Sequence, residues 1–298
     1  MKKIAFIGVG VMGKSMVRNL NKAGYHTTIF TRTKSKVDNL INEGIYWSNT
    51  IKECVQNKDI IMTMVGYPKD VEEIYYGNHG ILENAKENAI CIDFTTSAPA
   101  LAQKIYTDAK MRNIKSLDAP VSGGDIGAKN GTLSIMVGGD WDVFEDVYPL
   151  FQILGQTINY VGQAGLGQHT KMTNQIVIAG TIAGVVEAIH YAHQTNLDTD
   201  TMMKCISKGA AGSWQLEHNG QAILDNNLQP GFYIKHFIKD MKRHFKNEIL
   251  DDISKASFLK FTDMISMSRI EKREKADSWE EAIKMSGEKL LHENIVSE

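Results

Sequence analysis

The chain has 298 residues, 43% hydrophobic and 23% charged, with a formal net charge of -2. This is ordinary usage for a globular enzyme of one large or two ordinary domains, and so small a charge gives no global field to recruit nucleic acid or an anionic membrane. No apolar stretch is read as long enough to span a bilayer, and the N-terminal apolar run is too short for a signal peptide. Cys54, Cys91 and Cys205 lie far apart without metal-ligand spacing. They read as reduced thiols, so a cytoplasmic setting is expected.

The first predicted strand is Ile4 to Gly8, followed by Gly8-Val9-Gly10-Val11-Met12-Gly13 and a helical stretch from Val11 to Ala23. Strand, glycine turn and helix in that order form a dinucleotide-binding fingerprint. Gly8 permits the tight turn, Gly10 leaves room for a pyrophosphate, and Gly13 lets helix and strand pack closely. The phosphates then sit at the positive helix N-terminus, beside Val11 and Met12.

The second strand, Thr27 to Phe30, ends in Thr31-Arg32-Thr33-Lys34 without a carboxylate. NAD-preferring folds place Asp or Glu there, whereas an arginine can pair with a 2′-phosphate. The expected cofactor is therefore NADP(H), with NAD(H) as the alternative. The alternative is that Arg32 and Lys34 are merely solvated loop charges.

Further strands are expected at Ile60 to Val65, Ala89 to Asp93, Ser116 to Asp118, Leu133 to Val137 and Ile158 to Val161. Helical stretches lie among them at Val37 to Asn42, Val71 to Tyr75 and Ala100 to Arg112. Alternation of this kind implies a parallel sheet covered on both faces, with ligands at the carboxyl ends of its strands.

Near Gly162 the pattern changes. Gly162-Gln163-Ala164-Gly165-Leu166-Gly167 reads as a loop, and Gln168 to about Thr195 as one long, largely buried helix. Met172, Ile176, Ala179, Ala183, Val186, Ile189 and Ala192 carry its helical spacing. The rest is mostly helical, with a break at Asn226 to Gly231. The domains expected are residues 1–163, binding the nucleotide, and residues 164–298, helical.

Lys171 stands near the start of that helix, with Asn174 and Gln175 three and four residues on, on one face. A lysine on an apolar helix either snorkels to water or has work to do. Burial would lower its pKa toward the range useful for proton transfer. His169 nearby is an alternative base, but it reads first as an exposed first-turn residue. Ser122-Gly123-Gly124 is a turn after a strand, which serves either as a plain turn or as a cradle of N–H groups for a small carboxylate.

Together, the glycine fingerprint, Asp118-Ala119-Pro120-Val121-Ser122-Gly123-Gly124 and Gly165-Leu166-Gly167-Gln168-His169-Thr170-Lys171-Met172-Thr173-Asn174-Gln175 resemble the β-hydroxyacid dehydrogenase family. The resemblance runs from residue 1 to about Asp240. It implies a Rossmann-type, doubly wound α/β sheet followed by an all-α C-terminal domain, joined through a long interdomain helix. It also implies Lys171 as general acid/base with Asn174 beside it, and Ser122, Gly123, Gly124, Thr96 and Phe232 around a small carboxylate substrate in the cleft between the domains. The implied cofactor residues are Gly8, Gly10, Val11, Met12, Gly13, Thr31, Arg32, Thr33, Met64, Val65, Thr96, Lys239 and Asp240.

Arg32-Thr33 looks more like the NADPH-using semialdehyde reductases of the family than its NAD-using branch. A homodimer or homotetramer follows from the family alone. His236, Asp240 and His244 fall at i, i+4 and i+8, but Lys239 and Lys242 crowd them and hydride transfer needs no metal, so none is expected. After Asp240 the chain departs from the family pattern, and Ser268 to Lys275 is a charged run that reads as a solvated face. Two rival readings are imine reduction on a similar fold, whose enzymes generally lack the lysine, and a non-catalytic nucleotide-binding protein.

Overall fold

The computed structural model describes residues 2–227. Phe232, His236, Lys239, Asp240 and His244 lie outside the described residues. The chain divides into two compact units, Met1–Thr173 and Asn174–Glu298.

In chain order the first unit contains β1 (Ile4–Ile7), α1 (Val11–Lys22), β2 (Thr27–Phe30), α2 (Asp38–Asn42), β3 (Tyr46–Trp47), α3 (Ile51–Val55) and β4 (Ile60–Thr63). Then come α4 (Pro68–Tyr76), α5 (Ile81–Asn84), β5 (Ile90–Asp93), α6 (Pro99–Lys110), β6 (Lys115–Asp118), β7 (Val121–Ser122), α7 (Gly124–Asn130), β8 (Leu133–Gly139), α8 (Trp141–Leu154) and β9 (Gly155–Gly162). The strands form one sheet in the order β3-β2-β1-β4-β5-β6-β8-β7, with β9 paired to β8. From β3 to β6 all neighbours are parallel. β8 runs antiparallel to β6 and β7 and parallel to β9.

Strand periodicity explains the two-sided core. Successive side chains of a strand point to opposite faces. Ile4 and Phe6 join Met16, Val17 and Leu20 of α1 and Phe151 of α8 on one face. Ala5 and Ile7 join Val71, Ile74 and Tyr75 of α4 and Ile105 of α6 on the other. A sheet covered on both faces reads in sequence as continuous apolar runs, as Ile4–Ile7 and Ile60–Met62 do.

Helix α9 (Leu166–Gln194) begins in the first unit and continues into the second. The second unit adds α10 (Thr199–Ile206), a π-helical turn at Gln215–Gly220 and α11 (Gln221–Leu224). Val185, Ile189 and Ala192 of α9 form a small core there with Met202, Met203 and Leu216.

Three expectations need correction. Helix α9 starts at Leu166, so Gly167 is helical and not part of a loop. The helix is less buried than its apolar spacing suggests: Met172, Ala179, Ile189 and Ala192 are buried, but Ile176 and Val186 of the same stripe are exposed, as is Val177. The spacing marks an apolar helix without saying which flank is covered. Finally, α9 is long and apolar enough to cross a membrane by length and composition, with 29 residues and a window of mean hydropathy 1.4. Core helices of soluble proteins pass the same test.

Candidate active site

The parallel strands deliver the predicted nucleotide residues to one end of the sheet. Gly8 follows β1, Thr31 follows β2, Met64 and Val65 follow β4, and Thr95 and Thr96 follow β5. The chain reverses its direction of travel across the sheet between β1 and β4, which is where open α/β sheets bind ligands.

Each fingerprint glycine has a separate structural reason. Gly8 has φ +93°, and a Cβ there would lie 2.3 Å from the carbonyl oxygen of Met64. A Cβ on Gly13 would lie 2.3 Å from the carbonyl oxygen of Gly8, so α1 and the turn touch backbone to backbone. A Cβ on Gly10 would meet nothing within 4 Å. The N-terminus of α1 therefore faces open space at Gly10, and Val11 beside it is exposed. These residues fit a dinucleotide: an open approach to helical N–H groups suits a pyrophosphate.

Arg32 is 75% exposed at its side chain, and its guanidinium lies 3.3 Å from the carboxylate of Asp70. Asp70, in the first turn of α4, also accepts the Tyr67 N–H at 2.9 Å. The loop after β2 carries no acid, as read, yet the fold supplies one from the first turn of α4. Thr31 is half-buried and Thr33 exposed.

The loops after β4 and β5 are tied together. Val65 donates its N–H to the Thr95 hydroxyl at 3.0 Å. The buried Asp93 carboxylate accepts the Thr63 hydroxyl at 2.7 Å and the Thr95 N–H at 3.0 Å. Burial pushes its pKa up to about 6 against the lowering effect of those hydrogen bonds. A carboxyl whose folded pKa is raised binds more protons folded than unfolded, so stability falls as pH rises through that window. Between pH 4 and pH 7 the wild type is expected to lose about 2 kcal/mol relative to Asp93→Asn. Urea denaturation of both proteins at the two pH values checks this, and parallel pH dependences would contradict it.

The start of α9 is held on the ends of β5 and β6. Asp118, buried at the end of β6, accepts the N–H of Gly165 at 2.7 Å and of Gln168 at 2.9 Å. Burial raises the Asp118 pKa, and these two N–H groups oppose the rise. Gln168 is fully buried, receives the Ser97 N–H at 2.7 Å and donates to the Thr95 carbonyl at 2.8 Å. Lys171, one turn further along, is only 6% exposed. His169 is exposed, as expected.

Ser122 is half-buried at the end of β7, where it pairs with Ser134 of β8. Gly123 and Gly124 both have positive φ, +125° and +62°, and turn the chain into α7. Asn174 and Gln175 belong to the second unit, where the Asn174 amide donates to the Gln175 side chain at 3.0 Å. Phe232, Lys239 and Asp240 fall outside the described residues. Asp93, Asp118 and Gln168 were not singled out from sequence. Of these, only Asp93 had a local signal, a strand-end Asp-x-Thr in which the carboxylate takes the N–H two residues on.

Residues 3–162 match the family model for the NAD-binding domain of 6-phosphogluconate dehydrogenase. Residues 165–247 match that for the NAD-binding region of NADP-dependent 3-hydroxyisobutyrate dehydrogenase. An uncharacterised oxidoreductase of Bacillus subtilis is 53% identical over 240 residues, which cover 80% of this chain and 83% of the relative. The Arabidopsis thaliana protein named probable 3-hydroxyisobutyrate dehydrogenase-like 1, mitochondrial, is 44% identical over 80% of this chain and 72% of its own length. Among solved structures, Mycobacterium tuberculosis 3-hydroxyisobutyrate dehydrogenase with L-serine matches at TM-score 0.81 and 26% identity, covering 89% of this chain and 92% of that one.

Proposed function

The chain belongs to the β-hydroxyacid dehydrogenase family and is a nicotinamide-dependent oxidoreductase, and on that premise we propose that it interconverts a small β-hydroxy acid and its semialdehyde, or reduces glyoxylate or a related short semialdehyde, with NADP(H). The observation that carries this reading is Lys171, buried one turn beyond the polar contacts that join α9 to the β5 loop. A lysine held at that place can hand a proton to a reacting group and take one back.

The fingerprint residues Gly8, Gly10, Val11, Met12 and Gly13, with Met64, Val65 and Thr96, hold the dinucleotide. Lys239 and Asp240 are carried over from the family for the same role. When bound, the cofactor supplies or accepts the hydride. Lys171 gives its proton to the carbonyl oxygen in reduction and takes it back in oxidation, with Asn174 beside it. The Ser122 hydroxyl and the N–H groups of Gly123 and Gly124 hold the substrate carboxylate, and Phe232 is carried over from the family as a further substrate residue.

Turnover of NADPH with glyoxylate, succinate semialdehyde, methylmalonate semialdehyde and tartronate semialdehyde tests the reading. Oxidation with at least one is the expected result. Tight NADPH binding without turnover of any would leave a nucleotide-binding protein without this activity.

The NADP preference rests on Arg32, with Thr31 and Thr33 as further donors. Charge-assisted hydrogen bonds contribute about 1.5–3 kcal/mol, so Arg32→Ala should weaken NADPH binding by roughly 10–100-fold. NADH binding should change less than about threefold, since NADH has no 2′-phosphate to lose. Titration calorimetry with both cofactors measures this, and equal losses for the two would remove Arg32 from 2′-phosphate recognition.

A cytoplasmic homodimer or homotetramer is proposed with this activity. The exposed apolar residues Ile176, Val177 and Val186 of α9 support self-association. The exposed, unpaired thiol of Cys205 supports a reducing setting.

A further inference from the structure

The first turn of α9 is held more tightly than its sequence requires. Asp118 reaches from the end of β6 to cap it, bonding the N–H groups of Gly165 and Gln168. Both N–H groups lack intrahelical partners at a helix start, so a carboxylate there satisfies two orphan donors and faces the positive end of the helix dipole. Packing is equally close. A Cβ on Gly167 would lie 2.6 Å from the carbonyl oxygens of both Asp118 and Met136, and one on Gly138 would lie 2.8 Å from the Gly167 nitrogen. The helix therefore rests directly on the backbones of β6 and β8.

Gln168 adds the second tie. Its side-chain oxygen takes the Ser97 N–H and its amide nitrogen donates to the Thr95 carbonyl. The Thr95 hydroxyl accepts the N–H of Val65 in the β4 loop, and the Thr95 N–H goes to Asp93. Thr95 thus links the loop assigned to the cofactor with the helix that carries Lys171. Lys171 stands three positions beyond Gln168, which places them on neighbouring positions of one helical face.

We propose that Asp118 and Gln168 are positioning residues for the proton-transfer step. Asp118 sets the height of α9 on the sheet and Gln168 sets its rotation, so that Lys171 is presented at a fixed place relative to the β4 and β5 loops. The proposal rests on the reading of Lys171 as the proton donor. Misplacement of a reacting group by about 1 Å can lower a rate on the order of a hundredfold without changing what is bound.

The test compares Gln168→Ala, Gln168→Glu and Asp118→Asn with the wild type. Glutamate keeps the acceptor for the Ser97 N–H and loses the donor to Thr95, so it is a partial replacement that preserves size. Two readouts are used. One is the rate at which an amine-reactive acylating reagent labels Lys171, followed by peptide mass spectrometry, which needs no activity. The other is kcat against the dissociation constant for NADPH.

Gln168→Ala is expected to raise Lys171 labelling about tenfold or more while the other lysines keep their rates. It should lower kcat by roughly 10–100-fold with NADPH affinity within threefold, and Gln168→Glu and Asp118→Asn should fall between it and the wild type. In a Lys171→Ala background, Gln168→Ala should lower kcat no further, because a residue that acts through Lys171 has nothing left to position.

Unchanged Lys171 labelling in folded Gln168→Ala and Asp118→Asn would overturn the proposal. So would an equal kcat loss with and without Lys171. If Gln168→Ala fails to fold, Gln168→Glu decides by the same readouts. A Lys171→Ala enzyme with wild-type turnover would instead refute the proton-donor reading, and the labelling result would still show whether the clamp holds the lysine.

Discussion

Lys171→Ala is expected to lower kcat by about 10²–10⁴-fold, the range that a positioned general acid contributes. NADPH affinity should stay within about threefold, because none of the residues assigned to the dinucleotide stands on α9. Lys171 is buried at 6% exposure, so truncating it leaves a cavity, and thermal stability of the variant should fall modestly while the fold is kept. Steady-state kinetics, cofactor titration and a melting curve on one preparation separate these effects. A loss of both binding and turnover would point to a damaged fold, and near-normal turnover would remove Lys171 from the chemistry.

The second large effect distinguishes two glycines only two residues apart. Gly8→Ala forces a side chain into φ +93° and against the Met64 carbonyl at 2.3 Å. Backbone strain and overpacking are each worth about 1–3 kcal/mol, so the expected destabilisation is about 2–6 kcal/mol. Gly10→Ala meets nothing within 4 Å. It should change stability by no more than about 1 kcal/mol, mostly through the weaker helix cap. Its added methyl stands in the open space before α1, where the pyrophosphate is expected, and should weaken NADPH binding by about tenfold or more. Denaturation and binding measured on both variants should show stability lost in one and affinity in the other. If both lose stability alone, Gly10 is a structural glycine.

Much of the first unit was legible because its signals are local. The glycine fingerprint lies within six consecutive residues, and all seven expected strands are present. β3 and β7 escaped notice because each has only two residues, too few for any periodicity. The ties at the start of α9 escaped for a different reason. Asp118 and Gln168 are fifty residues apart, so no spacing rule connects them. Gly167 reads in sequence like a loop glycine, but its smallness relieves a close backbone approach inside a helix. Asp70 shows the same limit, since its pairing with Arg32 depends on a loop and a helix start that meet only in the folded protein.

The most direct test of the central claim follows the hydride. The protein is given each semialdehyde and glyoxylate together with NADPH carrying deuterium at the transferable position of nicotinamide C4, and the hydroxy-acid product is analysed by mass spectrometry. A β-hydroxyacid dehydrogenase acting as proposed places the deuterium on the carbon that bears the new hydroxyl group. Absence of labelled product from every one of these substrates, with NADPH demonstrably bound, would contradict the account.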